Sequence, residues 1–305
     1  MHYNIVLLLS LMLNFTMHAI EFKILSCHNE PYSRITFIRD EHANNYVIKQ
    51  VLEEDLKQQF LLIMDCLTAE IAAQAGIPCN KITLIPAFQD HVGKQWHHLP
   101  ATLHTFAQGV MLTESKQFNE LEIQQRYRAI GGWLWKKEGM LSLKWRGLTA
   151  TAIEHMALHP QLPALVAFDT FIGNNDRART NLFYDEITNS FCGIDMANAY
   201  GQNLCKEAIC QLLRLHRDNR HQFTAPELEA LEMYRKMLCK LITQFPPKKL
   251  HIRLDELVAL ANMAHIPYDH LSLKECIAFY KDMITESYHD ALALETLLEL
   301  LEPAS

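Results

Sequence analysis

Several of the signals that assign a protein quickly are missing from these 305 residues. There is no internal repeat and no low-complexity tract, which excludes a solenoid or a scaffold array. The eight cysteines form no CxxC pair. Cys205-x4-Cys210 followed by His216 and His221 falls in a stretch that reads as helix, so these cysteines are expected to be buried side chains rather than zinc ligands. His97-His98 likewise has no partner at ligand spacing. Excess positive charge is also lacking: 28 Lys and Arg against 35 Asp and Glu leave a net charge of −7, which argues against wholesale nucleic-acid binding. The apolar run at residues 5–13 (IVLLLSLML) is too short to span a bilayer.

That run has the length of a leader h-region, and Met17-His18-Ala19 ends on a small residue. Residues 1–4 carry no Lys or Arg, and Met17 is an alternative start, with residues 20–25 already reading as a strand. Residues 1–19 are therefore expected to be a leader or an extension. Export, or delivery to a host, is expected over a cytoplasmic location. An exported chain could pair its even number of cysteines; a cytosolic one would keep them as thiols. The 49% hydrophobic content is enough to bury a substantial core.

The most informative stretch is residues 167–200, AFDTFIGNNDRARTNLFYDEITNSFCGIDMANAY. It reads as a helix end, a polar loop, strand 181–184, turn 185–190, strand 191–194 and an aspartate before small residues. Asp176 sits in the loop, Asn181 at the entrance of the hairpin and Asp195 at its exit. Moving a γ-phosphoryl group asks a protein for positioning and charge neutralisation more than for covalent chemistry. A loop carboxylate such as Asp176 can orient an acceptor hydroxyl. An Asn carbonyl and an Asp carboxylate are oxygen ligands suited to Mg²⁺. Asn and Asp also gather at turns because they cap backbone groups, and Asn174, Asn175 and Asn189 are read that way.

N-N-D-R-x-x-x-N, a short hairpin and I-D together resemble the catalytic and metal-binding loops of the protein-kinase-like superfamily, in its atypical branch of HipA-like kinases and phosphatidylinositol 3- and 4-kinases. Ordinary protein kinases carry H-R-D-x-x-x-x-N and D-F-G. Here Asn174-Asn175 precede the aspartate, and Asp195-Met196-Ala197 stands for D-F-G. Phosphatidylinositol kinases typically read D-R-H, where this chain has Ala178. The resemblance implies ATP and Mg²⁺ as cofactors, Asp176 as a catalytic residue, and Asn181 and Asp195 as metal ligands.

It also implies an upstream lysine for the α/β-phosphates and a helix glutamate to hold it. Residues 46–50 (YVIKQ) form a β-branched strand with Lys49 in the V-A-I-K position. Leu56, Phe60, Ile63, Leu67 and Ile71 then recur at helical steps within residues 52–75, and Gly76 and Pro78 stop the helix. Glu70 lies in T-A-E-I-A-A-Q-A-G-I-P, similar to the corresponding helix of HipA-like kinases. Alone, each would be a solvated side chain. In the order Lys49, Glu70, Asp176, Asn181, Asp195 they form the two halves of one catalytic set.

A phosphate-covering loop is expected at residues 27–34 (CHNEPYSR), which contain no glycine, with Ser33 and Arg34 as helpers. Residues 82–87 read as a strand. Residues 102–109 read as a strand entering a turn, with backbone contacts to the base expected from Leu103, Thr105 and Phe106, and with His104 an ordinary exposed residue. Helices are expected over 118–137, 149–171, 224–245, 252–264, 276–285 and 289–301. Thr224…Glu227 and Ser272…Glu275 are capping boxes. The fold class is thus α+β: a two-lobed protein-kinase-like fold with a small α/β lobe over 20–109 and a larger, mostly α-helical lobe over 110–305.

The expected activity is ATP- and Mg²⁺-dependent transfer to a Ser or Thr hydroxyl of a protein. A phosphoinositide or other small-alcohol kinase, with the basic stretch 206–220 as the headgroup dock, is the alternative. A nucleotide-binding pseudokinase is a third, supported by the glycine-free loop. Lys136-Lys137, Lys144 with Arg146, Arg214–Arg220, and Lys248-Lys249 with Arg253 are solvated faces by default. Convergence in space would make them a dock for an anionic activator or an acidic membrane surface.

Overall fold

The computed structural model describes residues 4–7, 20–29, 33–51, 56–92, 95–112, 114–115, 156–157, 159–174, 177, 181–197, 199–200, 209–210, 213, 223–262 and 272–299. The chain divides into two compact units. Residues 1–70, 80–106 and 253–277 make one; residues 71–79, 107–252 and 278–305 make the other. The class is α+β, with an antiparallel sheet in the N-terminal part and a mostly helical C-terminal part.

Six strands build the sheet of the first unit: β1 (Asn4–Leu7), β2 (Ile20–Asn29), β3 (Ser33–Arg39), β4 (Asn45–Val51), β5 (Ile82–Val92) and β6 (Gln95–Thr105). Their order is β1-β2-β3-β4-β6-β5. Every pairing is antiparallel, and β1 lies on β2 with Asn4 opposite Lys23. Because side chains alternate along a strand, β4 sends Ile48 to a buried cluster with Ile38, Ile85 and Ala101. Lys49 takes the opposite face, beside its cross-strand neighbours Ile35 and Thr102. Pro86 is accommodated where the β5–β6 register shifts between Ile85 and Phe88, since a bulge does not need its missing N–H.

Helix α1 (Leu56–Ala75) buries Phe60, Leu62, Ile63, Met64, Leu67 and Ile71. It ends at Gly76, whose left-handed φ of 76° lets Ile77 donate its N–H to the Ala72 carbonyl at 2.8 Å.

The second unit holds a three-stranded sheet of β7 (Val110–Met111), β8 (Leu182–Asp185) and β9 (Ser190–Gly193), in that order. Helix α2 (Leu162–Phe171) packs against α3 (Ala225–Gln244). Tyr234 donates its hydroxyl to Thr170 Oγ1 at 3.0 Å, and the Phe171 ring meets those of Phe245 and Tyr288. Among the described residues, helices α4 (Pro247–Ala261) and α5 (Leu273–Glu299) follow.

Several expected boundaries move. The helix expected over 149–171 is described only as α2, beginning at Leu162; Pro160 and Pro163 would each remove a backbone donor from the interior of a longer helix. The expected helices 276–285 and 289–301 are one element, α5, because no Gly or Pro interrupts the sequence between them. Both capping boxes form: the N–H of Thr224 reaches Glu227 Oε2 at 2.7 Å and that of Ser272 reaches Glu275 Oε2 at 2.7 Å. The helix expected at 118–137 lies outside the described residues, as do Asp176, Lys136-Lys137, Lys144, Arg146 and the basic residues of 206–220.

Candidate active site

In the second unit a buried ion pair is tied to the hairpin that the expected metal ligands bracket. Asp169, in the last turn of α2, accepts hydrogen bonds from Arg177: Nε to Oδ2 at 3.0 Å and Nη2 to Oδ1 at 3.0 Å. Both side chains are almost fully excluded from water, at 2% and 1% exposure. Burial works against the Arg177 charge, but the Asp169 carboxylate more than offsets it and raises the arginine pKa further. Asn174 adds its Nδ2 to Asp169 Oδ1 at 2.9 Å.

The remaining guanidinium nitrogen ties the hairpin together. Arg177 Nη1 donates to the carbonyl of Asn181 at 2.9 Å and to that of Ile194 at 2.9 Å. The Ile194 N–H also donates to the Asn181 carbonyl, at 3.0 Å. Asn181 and the residue preceding Asp195 are therefore joined both directly and through one side chain. Gly193 is needed beneath it, because a Cβ there would stand 2.8 Å from Nη1. Asp195 itself has a left-handed φ of 53°. Non-glycine residues seldom take that conformation, and where they do the surrounding structure must hold it. Met196 and Ala197, buried just after it, and the clamped Ile194 carbonyl before it supply that restraint.

Asn181 and Asp195 are both half-buried. They offer an amide oxygen and a carboxylate, a donor pair suited to a hard cation that completes its shell with phosphate oxygens and water. Among the described residues no three His, Cys, Asp or Glu side chains gather as a metal-binding group.

The first unit holds the other expected residues. Lys49 is half-buried, on the sheet face that also carries Thr102 and His104. Helix α1 lies on this face, with Asp65 Oδ2 3.8 Å from His104 Nε2. Glu70 was expected to hold Lys49. Its carboxylate is instead engaged by Arg253, with Nε at 2.7 Å and Nη2 at 2.7 Å. The planar guanidinium gives the two carboxylate oxygens two parallel hydrogen bonds.

Three nucleotide expectations change. In the phosphate-covering loop expected at 27–34, the described residues are paired strand, Cys27 facing Thr36 and Asn29 facing Arg34. Ser33 is buried at the start of β3, and Arg34 gives its Nε to Cys27 Sγ at 2.7 Å. Leu103 and Thr105 lie in β6, an inner strand whose backbone groups are spent on β4 and β5; Thr105 sends its N–H to the Lys81 carbonyl at 2.9 Å. Phe106, the first residue past that strand, is exposed, although its N–H reaches the Asn45 carbonyl at 3.3 Å.

His104 is not the exposed residue expected. It is buried, with Nε2 2.8 Å from Thr102 Oγ1 and Nδ1 3.3 Å from Asn80 Nδ2. Asp65 and Asp169 are not among the residues that the sequence motifs single out. The only available signal was an acid inside an otherwise apolar helical run, FLLIMDCL and ALVAFDTF.

No protein-family model matches the chain, and no curated protein matches it. Solved structures do. A Helicobacter pylori proinflammatory kinase, CtkA, is similar at 12% identity and a TM-score of 0.45, over 92% of this chain and 97% of that one. The Rio2 kinase of Chaetomium thermophilum, in an ADP/Mg²⁺-phosphoaspartate complex, is similar at 10% identity and a TM-score of 0.38, over 88% and 71%. An amicoumacin kinase in complex with AMP-PNP, Ca²⁺ and Ami gives 14% identity and 0.32, over 86% and 88%. None of the three reaches a TM-score of 0.5.

Proposed function

We propose that this chain is an ATP- and Mg²⁺-dependent phosphotransferase and, within that class, a protein Ser/Thr kinase of the HipA-like kind. The observation that carries the reading is the hairpin: Asn181 beside the Ile194–Asp195 peptide, with Asp195 in a left-handed backbone held by its surroundings. Backbone strain of order 1–3 kcal/mol persists where a site requires it. Asn181 and Asp195 would hold the cation, which when bound supplies charge neutralisation for the phosphates. Asp176 would orient the acceptor hydroxyl and accept its proton. Lys49 would hold the α/β-phosphates, and Glu70, once released from Arg253, would hold Lys49. The exposed Phe106 is the retained candidate for contact with the base.

A nucleotide-binding pseudokinase is the second reading. It is favoured by the engagement of Glu70 with Arg253 and by the lack of any glycine in residues 27–34.

Labelled phosphate transfer from ATP, offered in parallel to generic proteins and to phosphoinositide vesicles, separates these readings. Label on protein, lost in both Asp176→Ala and Asp195→Ala, is the expected result. Label on lipid alone moves the acceptor to the small-alcohol class. Nucleotide binding without transfer to any acceptor, including the chain itself, favours the pseudokinase.

A further inference from the structure

We propose that Arg177 is a positioning residue for the Asn181–Asp195 cation site, and that Asp169 is buried beside it to keep that guanidinium aimed. This rests on the phosphotransferase reading and adds a part to it. A carbonyl oxygen bonded by a pinned donor fixes its peptide plane, and Arg177 Nη1 fixes two at once: the peptide following Asn181 and the one preceding Asp195. Those are the peptides that set where the two ligand side chains start. The left-handed turn at Asp195 begins immediately after the second, so the hydrogen bond to the Ile194 carbonyl holds the backbone at its least relaxed point.

The design is over-determined. Nε and Nη2 are spent on Asp169, which leaves Nη1 no freedom to swing away. Asp169 is itself oriented by Asn174 Nδ2. Gly193 keeps the guanidinium close to β9, since a Cβ would press on Nη1 at 2.8 Å. A purely structural ion pair could be replaced by neutral side chains with little consequence for a site, because buried pairs often add little net stability. A positioning pair could not, since outer-shell partners typically carry about 10–100-fold of metal affinity.

The test replaces both charges together. Arg177→Met with Asp169→Asn keeps an acceptor for Asn174 and removes the two carbonyl donors. Binding of a fluorescent non-hydrolysable ATP analogue is titrated with Mg²⁺, in parallel with the same analogue in EDTA and with thermal melting. The expected result is cooperative melting, unchanged metal-free nucleotide affinity, and a Mg²⁺ midpoint raised roughly tenfold or more. Arg177→Lys, which cannot reach the carboxylate and both carbonyls together, is expected to fall between the two. An unchanged Mg²⁺ midpoint in the folded double variant overturns the positioning role and leaves the phosphotransferase reading standing. Absence of Mg²⁺-dependent nucleotide binding in the unaltered chain overturns both. If the double variant fails to fold, Gly193→Ala serves, because it keeps both charges and displaces Nη1; a shift of the midpoint in the same direction supports the role, and no shift overturns it.

Discussion

Arg253 binds both carboxylate oxygens of Glu70, one through Nε and one through Nη2, each at 2.7 Å. A second acid, Glu256, takes its Nη1 at 2.6 Å. The helix glutamate that the sequence pairs with Lys49 thus has another cation as its partner. By sequence Arg253 belongs to a basic face with Lys248 and Lys249, and this contact removes it from that cluster as a free charge.

The pair is partly open to solvent, at 39% and 29% exposure, so screening limits its worth to about 0.5–1 kcal/mol. Arg253→Ala is expected to lower unfolding free energy by that amount in low salt and by less in about 1 M salt, where the Debye length is ~3 Å. It also frees Glu70. If Glu70 serves Lys49 during turnover, phosphate transfer rises by up to about fivefold, the equivalent of ~1 kcal/mol. Urea titration at two ionic strengths and a transfer assay on the same variant check both parts. A fall in transfer would make Arg253 a support for Glu70 rather than its competitor.

Asp195 separates backbone from charge in a way few sites allow. Asn tolerates the left-handed region about as well as Asp, whereas a β-branched residue does not. Asp195→Asn is therefore expected to keep the left-handed backbone and a cooperative melt. Its Mg²⁺-dependent nucleotide binding should nonetheless be lost with the carboxylate. Asp195→Val should lose about 1–2 kcal/mol of stability as well. Thermal melting and nucleotide titration, run side by side on the two variants, make the comparison.

The thiols flanking this site should be inert. Burial pushes Cys79 up to about 12 and Cys192 up to about 11, with the Arg177 guanidinium pulling only partly the other way. The nucleophile in alkylation is the thiolate, so at pH 8 both side chains stay overwhelmingly as unreactive thiols. Cys27 and Cys239 are exposed. Native iodoacetamide labelling at pH 8, read by peptide mass spectrometry, should mark Cys27 and Cys239 well before Cys79 or Cys192. Early labelling of Cys192 would mean that β9 opens readily, against the clamp described for it.

Much of the fold was legible because local signals agreed with tertiary need. The β-branched run around Lys49 became β4, the three- to four-residue apolar step became α1, and both capping boxes started helices where expected. Residues 27–34 misled because their polar composition reads as loop, while the antiparallel register with Thr36 to Arg34 is set by the partner strand. His104 misled for a related reason. Its alternation in TLHT is compatible with either face, and burial followed from α1 lying over the face it shares with Lys49.

Taken alone, then, the amino-acid sequence determined the residue types and their order: an amide and an acid bracketing a short hairpin, an acid in the loop ahead of it, and a strand lysine and helix glutamate upstream. Spacing along the chain is enough for that, because a two-strand hairpin brings its own ends together. Which partner each charge takes was decided only in three dimensions. Arg177 meets Asp169 from eight positions away and Arg253 meets Glu70 from 183 away. No local propensity encodes such contacts; they follow from which helix faces pack, and a guanidinium then fits whichever carboxylate that packing presents.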